Sequence, residues 1–321
     1  MRFNPAVQTT FSPPIPEARR WLDGMTFPPD RPLLNVSQAA PSDPPPEALR
    51  QIIAEAALND PGAHLYGAVL GDDALRTELA ATWSRNYGGR VAADQVAITA
   101  GCNQAFVAVL AAIAGHEDEV ILPTPWYFNH KMWLDISGAK AIPLPAGDDL
   151  IPSAEDAAHL ITKRTRAIVL VSPNNPAGVE YPPETIAAFR DLARAHDIAL
   201  ILDETYRDFH SASGAPHDLF TDLGWDDTLI SLYSFSKAYR LTGHRVGAII
   251  GSPALLHEVE KMQDTSVICP NRLGQRAALW GLQNLSQWLA GERDDVLDRR
   301  AAVTQHLGAL PGWNVAGLGA Y

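Results

Sequence analysis

Two periodicities alternate along this chain and separate its helical ends from a stranded middle. From Glu47, apolar Leu49, Ile52, Ile53, Ala56 and Ala57 recur at helical spacing, and Leu75, Leu79 and Trp83 do so again behind Asp72, a residue type suited to cap a helix start. These predict two amphipathic helices. Short apolar runs then follow at 96–99, 120–122, 167–171, 198–202, 229–232 and 246–250. Each has strand length and is apolar at successive positions, as strands buried on both faces are. Between several of them lie helical stretches at 104–114, 153–161 and 183–196; Ser153 and Asp156 form a capping-box pattern, and Pro183 suits a first helical position. Strand, helix, strand in repetition predicts an α/β fold, a mostly parallel sheet covered by helices on both faces. After Pro270 the pattern is helical to about Leu307, and 313–316 reads as a strand. The first 46 residues are dense in proline from Pro13 to Pro46, which forbids long regular elements and predicts an extended arm wrapped over another surface.

Composition narrows this further. At 321 residues the chain exceeds the usual ~100 to 200 of one domain, so one large domain or two lobes are expected. With 46% hydrophobic and 19% charged residues it lies far from the disordered class. Twenty-five Lys and Arg against 37 Asp and Glu leave a net charge of −12, which repels polyanions and anionic membrane faces and excludes nucleic acid as a partner. Cys102 and Cys269 are too few for a disulfide framework and lack zinc spacing, which fits a reducing cytoplasm and predicts no metal. No export signal and no membrane span are indicated, since no apolar run reaches ~18 residues.

In an open parallel sheet, ligands bind beyond the carboxyl ends of the strands, so the residues following each apolar run carry the information. After the first come Gly101, Cys102, Asn103 and Gln104, a small-residue turn opening a helix whose free N–H groups can hold a phosphate. After the second come Pro123, Pro125, Trp126, Tyr127 and Phe128; packing at a domain interface explains this cluster as well as ring stacking does. The third exits into Ser172-Pro173-Asn174-Asn175-Pro176-Ala177-Gly178, a turn by composition that also offers two amide side chains. The fourth exits into Asp203, Glu204 and Tyr206. An acid there could hold Mg²⁺ in a nucleotide hydrolase, but the partner motif G-x-x-x-x-G-K-[ST] is absent, and that reading fails. The fifth runs into Ser234-Phe235-Ser236-Lys237, with Gly243, Arg245 and Gly247 following. A lysine placed behind a buried strand, with a second cation near, loses its proton more readily and becomes a nucleophile suited to Schiff-base chemistry. Gly317-Leu318-Gly319 is too short of context for a dinucleotide site, because no βα unit follows it.

Taken in order, Ser172–Gly178, Asp203–Tyr206 and Ser234–Gly247 resemble the N-N-P-x-G, D-E-x-Y and S-x-S-K-x-x-x-x-x-G-x-R-x-G motifs of the pyridoxal-phosphate-dependent aminotransferases of classes I and II. The resemblance runs from about Leu34 to Tyr321. It implies fold type I: a large domain with a mostly parallel sheet, plus a small α/β domain built from both chain ends. The boundaries it implies are an arm and part of the small domain at 1–46, the cofactor domain at 47–284, and the start of the C-terminal small domain at 285–321.

Carried over, Lys237 would bind the cofactor aldehyde as an internal aldimine and act as general acid and base, and Asp203 would pair with the pyridine nitrogen. Asn175 and Tyr206 would hold the phenolic oxygen, and Trp126 would stack on the ring. Gly101, Cys102, Asn103, Ser234, Ser236 and Arg245 would grip the phosphate. Tyr66, in Tyr66-Gly67-x-x-x-Gly71-x-x-x-Leu75-Arg76, resembles the residue that reaches the neighbouring subunit's phosphate, which implies a homodimer with shared sites. The implied activity is ping-pong transfer of an amino group between an L-amino acid and a 2-oxo acid. The alternatives are a carbon–sulfur β-lyase using the same Lys and Asp, and a non-catalytic regulatory domain, which usually comes fused to a DNA-binding segment that this chain does not offer.

Two departures from the family pattern stand out. Ala39 replaces the glycine of an L-G-x-G-x-P stretch, where the backbone and Asn175 would meet substrate. The arginine that clamps the substrate carboxylate would lie past Tyr321, so a truncated C-terminus is expected.

Overall fold

The apolar runs pair with one another edge to edge. In the computed structural model, which describes residues 1–315, the strands are β1 (Val96–Thr99), β2 (Glu119–Thr124), β3 (Lys140–Pro145), β4 (Thr165–Val171), β5 (Ala199–Asp203), β6 (Leu229–Ser234) and β7 (Gly247–Ile250), all but β3 arising at these runs. These make a seven-stranded sheet of order β1-β7-β6-β5-β4-β2-β3. Neighbours from β3 through β6 are parallel, and β7 runs antiparallel to both β6 and β1. The reversal has a local cause: the connection from Ser234 to Gly247 carries only the four-residue helix Phe235–Ala238 and the 3₁₀ turn Thr242–His244, with no crossover helix to bring the chain back parallel.

Successive strand residues serve opposite faces. Ile98, Ile168, Leu170, Leu200, Leu202, Tyr233 and Ile250 pack under helices Glu47–Asn59, Asp73–Tyr87, Pro183–Ala195 and Arg272–Asn284. Ala97, Val120, Leu122, Val169, Ile201, Leu232 and Ile249 pack under Cys102–Ile113, Phe128–Ser137 and Pro253–Val267. Each fully buried Leu, Ile or Val contributes roughly 1.5–3 kcal/mol, so the double-sided core fixes which strand ends lie together.

The structure corrects several expectations. The N-terminal arm is not wholly extended: Pro5–Thr9 and Pro14–Arg20 are short helices that each begin on a proline, where the missing N–H costs nothing, and 31–46 is irregular. The edge strand β3 escaped detection because half its residues face solvent and it carries Pro143 and Pro145, which edge strands tolerate. Ser153 does cap its helix, accepting from Asp156 N at 3.2 Å, but that helix spans only Ala154–Ala158. Asp72 stands at its expected N-cap position without capping; its carboxylate instead receives Arg276 Nη1 at 2.6 Å. The helical end holds as Arg272–Asn284 and Ser286–Leu307. Residues 313–315 form no strand, and Ala316 and 317–321 lie outside the described residues. Among the described residues, no helix is long and apolar enough to cross a membrane, and no cluster of three His, Cys, Asp or Glu could hold a metal.

Candidate active site

The exits of β1, β4, β5 and β6 lie at one end of the sheet, and they bring the motif residues together. Asp203 ends β5 and is buried. Its Oδ1 accepts from Thr205 N at 3.0 Å, from Thr205 Oγ1 at 2.7 Å and from the Cys102 thiol at 3.7 Å. Its Oδ2 lies 3.4 Å from His130 Nε2. The His130 ring is in turn stacked on Phe106, with centroids 3.8 Å apart, and meets Tyr127 edge-on at 5.0 Å. Burial pushes the Cys102 thiol well above its usual range, as does the charge of Asp203, so the sulfur stays protonated and donates.

Lys237 sits in the short helix that starts at Ser234, whose hydroxyl accepts from Ser236 N at 3.2 Å. Its ammonium donates to Ala39 O at 2.8 Å and lies 5.7 Å from the centre of the Tyr206 ring. Among the described residues no carboxylate pairs with it. Burial, and secondarily the positive charge of Arg245, lower its pKa from the ordinary lysine value. Asn175 Nδ2 donates to Tyr206 OH at 3.5 Å, joining the exits of β4 and β5.

Facing these groups is a cradle of donors. Gly101 precedes the twelve-residue helix Cys102–Ile113 at φ +89°, a left-handed value that side chains rarely adopt. A Cβ on it would fall 2.3 Å from Arg245 Nη2, and one on Gly247 would fall 2.6 Å from Cys102 N. Both positions therefore need glycine for a guanidinium and a helix start to approach so closely. Arg245 also donates to Thr242 O at 3.0 Å and to Ser236 Oγ at 3.4 Å. First-turn amides, two serine hydroxyls and a guanidinium form a donor set suited to a phosphate monoester, and Asp203 is the acceptor suited to a protonated ring nitrogen.

The model of the family described as aminotransferase class I and II matches residues 31–320. The chain belongs to this family. Similar curated members include an arginine–pyruvate transaminase of Pseudomonas aeruginosa, 34% identical over 251 residues that cover 77% of this chain and 63% of that protein. A valine–pyruvate aminotransferase of Mycobacterium tuberculosis is 33% identical over 252 residues, with the same two coverages of 77% and 63%. The chain thus spans a little under two thirds of the length of these relatives. Aspartate aminotransferase from Thermus thermophilus with maleate superposes with a TM-score of 0.89 at 25% identity, covering 100% of this chain and 84% of that chain. The fold is that of the type I aminotransferases.

Within this aminotransferase-family fold, most of the residues singled out in the sequence stand around one site: Gly101, Cys102, Asn103, Asn175, Asp203, Tyr206, Ser234, Ser236, Lys237, Arg245 and the Ala39 carbonyl. Trp126 and Tyr66 are placed less directly, although Trp126 lines one cavity with Tyr127 and His130. The Trp126 ring lies 5.8 Å from the Lys131 ammonium, whereas its neighbour Tyr127 reaches the site, donating to Asn103 Oδ1 at 3.3 Å and accepting from Asn129 Nδ2 at 2.8 Å. Tyr66 is 78% exposed. Three residues that share these contacts were not singled out in the sequence: Tyr127, His130 and Thr205. Tyr127 was legible as part of the aromatic cluster, and Thr205 lies inside Asp203–Tyr206. His130 gave no signal beyond a histidine on an otherwise apolar helix face.

Glu204, next to Asp203, belongs to a different environment. Tyr87 OH donates to its Oε1, His217 Nε2 lies 3.2 Å from the same atom, and Ser231 Oγ donates to Oε2 at 2.6 Å. Arg207 Nε donates to Tyr87 OH at 2.9 Å, and its guanidinium lies 4.6 and 4.8 Å from the ring centres of Trp83 and Tyr87. Burial opposes the charge of Glu204, but His217, Arg207 and Ser231 outweigh it and hold the carboxyl below the usual glutamate range.

Proposed function

We propose that this chain carries the catalytic centre of a pyridoxal-phosphate-dependent aminotransferase that moves an amino group between an L-amino acid and a 2-oxo acid. The observation that carries the reading is the convergence of a depressed-pKa lysine, a buried aspartate and a glycine-lined anion cradle at one end of the sheet. The donor set fits the cofactor. Gly101, Cys102 and Asn103 amides, Ser234, Ser236 and Arg245 would hold its phosphate, Asp203 its ring nitrogen, and Asn175 with Tyr206 its phenolic oxygen. Tyr127, rather than Trp126, would face the ring. Pyridoxal phosphate, when bound, supplies an aldehyde that condenses with amines and a pyridinium ring that draws electrons from the substrate α-carbon.

The protein's own groups do the rest. Asp203, a buried carboxylate, would hold a proton on the ring nitrogen. Lys237, whose burial favours the neutral amine, would serve first as nucleophile; displaced by the substrate amine, its freed Nζ would take the proton from the substrate α-carbon and return it to the carbon that had carried the aldehyde oxygen. The Ala39 carbonyl, 2.8 Å from Nζ, orients that amine. Tyr66, exposed here, would complete the site of a second copy in a homodimer. Both cysteines are free thiols, in keeping with a cytoplasmic setting.

Two relatives carry pyruvate in their names, which makes it the first 2-oxo acid to try. The purified protein, loaded with pyridoxal phosphate, should convert pyruvate to alanine while an L-amino acid donor yields its 2-oxo acid in equal amount, with the parallel double-reciprocal lines of ping-pong kinetics. Ammonia and pyruvate released from a cysteine conjugate with no acceptor present would instead favour the β-lyase.

A further inference from the structure

The two oxygens of Asp203 are unequally occupied. Oδ1 takes three donors, Thr205 Oγ1 at 2.7 Å, Thr205 N at 3.0 Å and the Cys102 thiol at 3.7 Å. Oδ2 has His130 Nε2 at 3.4 Å. An ionised carboxylate offers roughly four lone-pair sites over its two oxygens, so Oδ1 is saturated and the open acceptor position lies on Oδ2. What holds the group in this orientation matters, because the terminal torsion of an aspartate is broad and no rotamer well fixes it. Two of the three donors on Oδ1 come from one residue, on the chain two positions ahead, and together they clamp the carboxylate against rotation. Position 205 is the unspecified x of the D-E-x-Y pattern that Asp203–Tyr206 resembles, and a side chain without a hydroxyl there could supply only the backbone donor.

We infer that Thr205 is a positioning residue: its hydroxyl and amide bind Asp203 Oδ1 and thereby present Oδ2 to the ring nitrogen of the cofactor. This rests on the proposed function above, and it assigns Thr205 a role in recognising one atom of that cofactor. A residue that only supported the fold would affect every ligand of the site alike. One that works through Asp203 affects only ligands with a ring N–H.

The test is equilibrium binding to the apoprotein of two probes, pyridoxal 5′-phosphate and its 1-deaza analogue, in which carbon replaces the ring nitrogen. The unaltered protein should bind pyridoxal phosphate more tightly than the analogue. Thr205→Val should weaken pyridoxal phosphate about tenfold, the scale of one hydrogen bond to a charged group, and should change the Kd of the analogue less than twofold. Thr205→Ser should restore the difference, and Thr205→Ala gives a second hydroxyl-free variant should the valine fail to fold. Equal losses for both probes, or a loss below twofold for pyridoxal phosphate in the folded variants, would overturn the inference. If the unaltered protein itself bound both probes equally, the pairing of Asp203 with a ring nitrogen would fail, and the failure would then lie in the proposed function rather than in Thr205.

Discussion

Asp203 and Glu204 are adjacent, both carboxylates, and both nearly excluded from solvent, at 4% and 1% exposure. Their side chains leave the end of β5 toward opposite surroundings. Glu204 enters a closed set in which Tyr87, His217 and Ser231 occupy its oxygens, and Arg207 braces Tyr87 from behind. Asp203 enters a set with an acceptor position open on Oδ2, beside Cys102 at the start of the cradle helix. The difference teaches how to separate structure from chemistry at a strand exit. A buried charge with all its acceptor positions filled by the fold stabilises the fold, whereas one left an open position is held ready for a ligand.

Substitution should break this contrast most visibly in opposite measurements. Asp203→Ala is expected to lower turnover at least about a hundredfold, the scale of removing a preorganised charge from a reacting centre, while the urea midpoint stays close to that of the parent. Glu204→Ala should leave Tyr87, His217 and Ser231 buried without their shared acceptor and cost about 1–3 kcal/mol of stability for each group so orphaned, read from urea unfolding. The fraction that remains folded should keep its cofactor absorbance. A large loss of turnover without a loss of stability in Glu204→Ala would erase the distinction.

A smaller effect sharpens it on the pH axis. The carboxyl of Glu204 is held below its usual range in the folded state, so its contribution is complete above the unfolded-state pKa of about 4.3 and is lost as pH falls through the lower folded value. The stability difference between the protein and Glu204→Gln should accordingly be full near neutrality and shrink on acidification; a difference independent of pH would contradict a charged Glu204. On the open side, the same downward direction at Lys237 favours the neutral form. Burial, then Arg245, depress its pKa, so in the apoprotein its reductive methylation should rise at a pH below that of a free lysine side chain, about 10.4. Arg245→Met should move that midpoint up by the smaller of the two causes, and an unmoved midpoint would remove Arg245 from the account.

Much of this was legible in the chain because buried strands and strand-exit chemistry leave local marks. The run at 96–99 is a strand with those very bounds, and 167–171 and 229–232 lie within β4 and β6. Asp203, Lys237 and Arg245 could be singled out because each stands at the edge of such a run. The remainder depends on contacts far apart in sequence. The edge strand Lys140–Pro145 has no continuous apolar signal. His130 is tied to Asp203 across 73 positions, and neither the spacing nor the residue type announces that pairing. The contact of the Tyr127 hydroxyl with Asn103 likewise needed the fold, because the cluster of aromatic residues alone leaves open what each ring meets.

The central claim, that the open site binds pyridoxal phosphate through Lys237, is tested most directly by borohydride reduction of the protein mixed with that cofactor, followed by peptide mass mapping. The account predicts a cofactor-sized mass increment on the Lys237 peptide, absent in Lys237→Ala. An increment on any other lysine, or one that survives in Lys237→Ala, would contradict it.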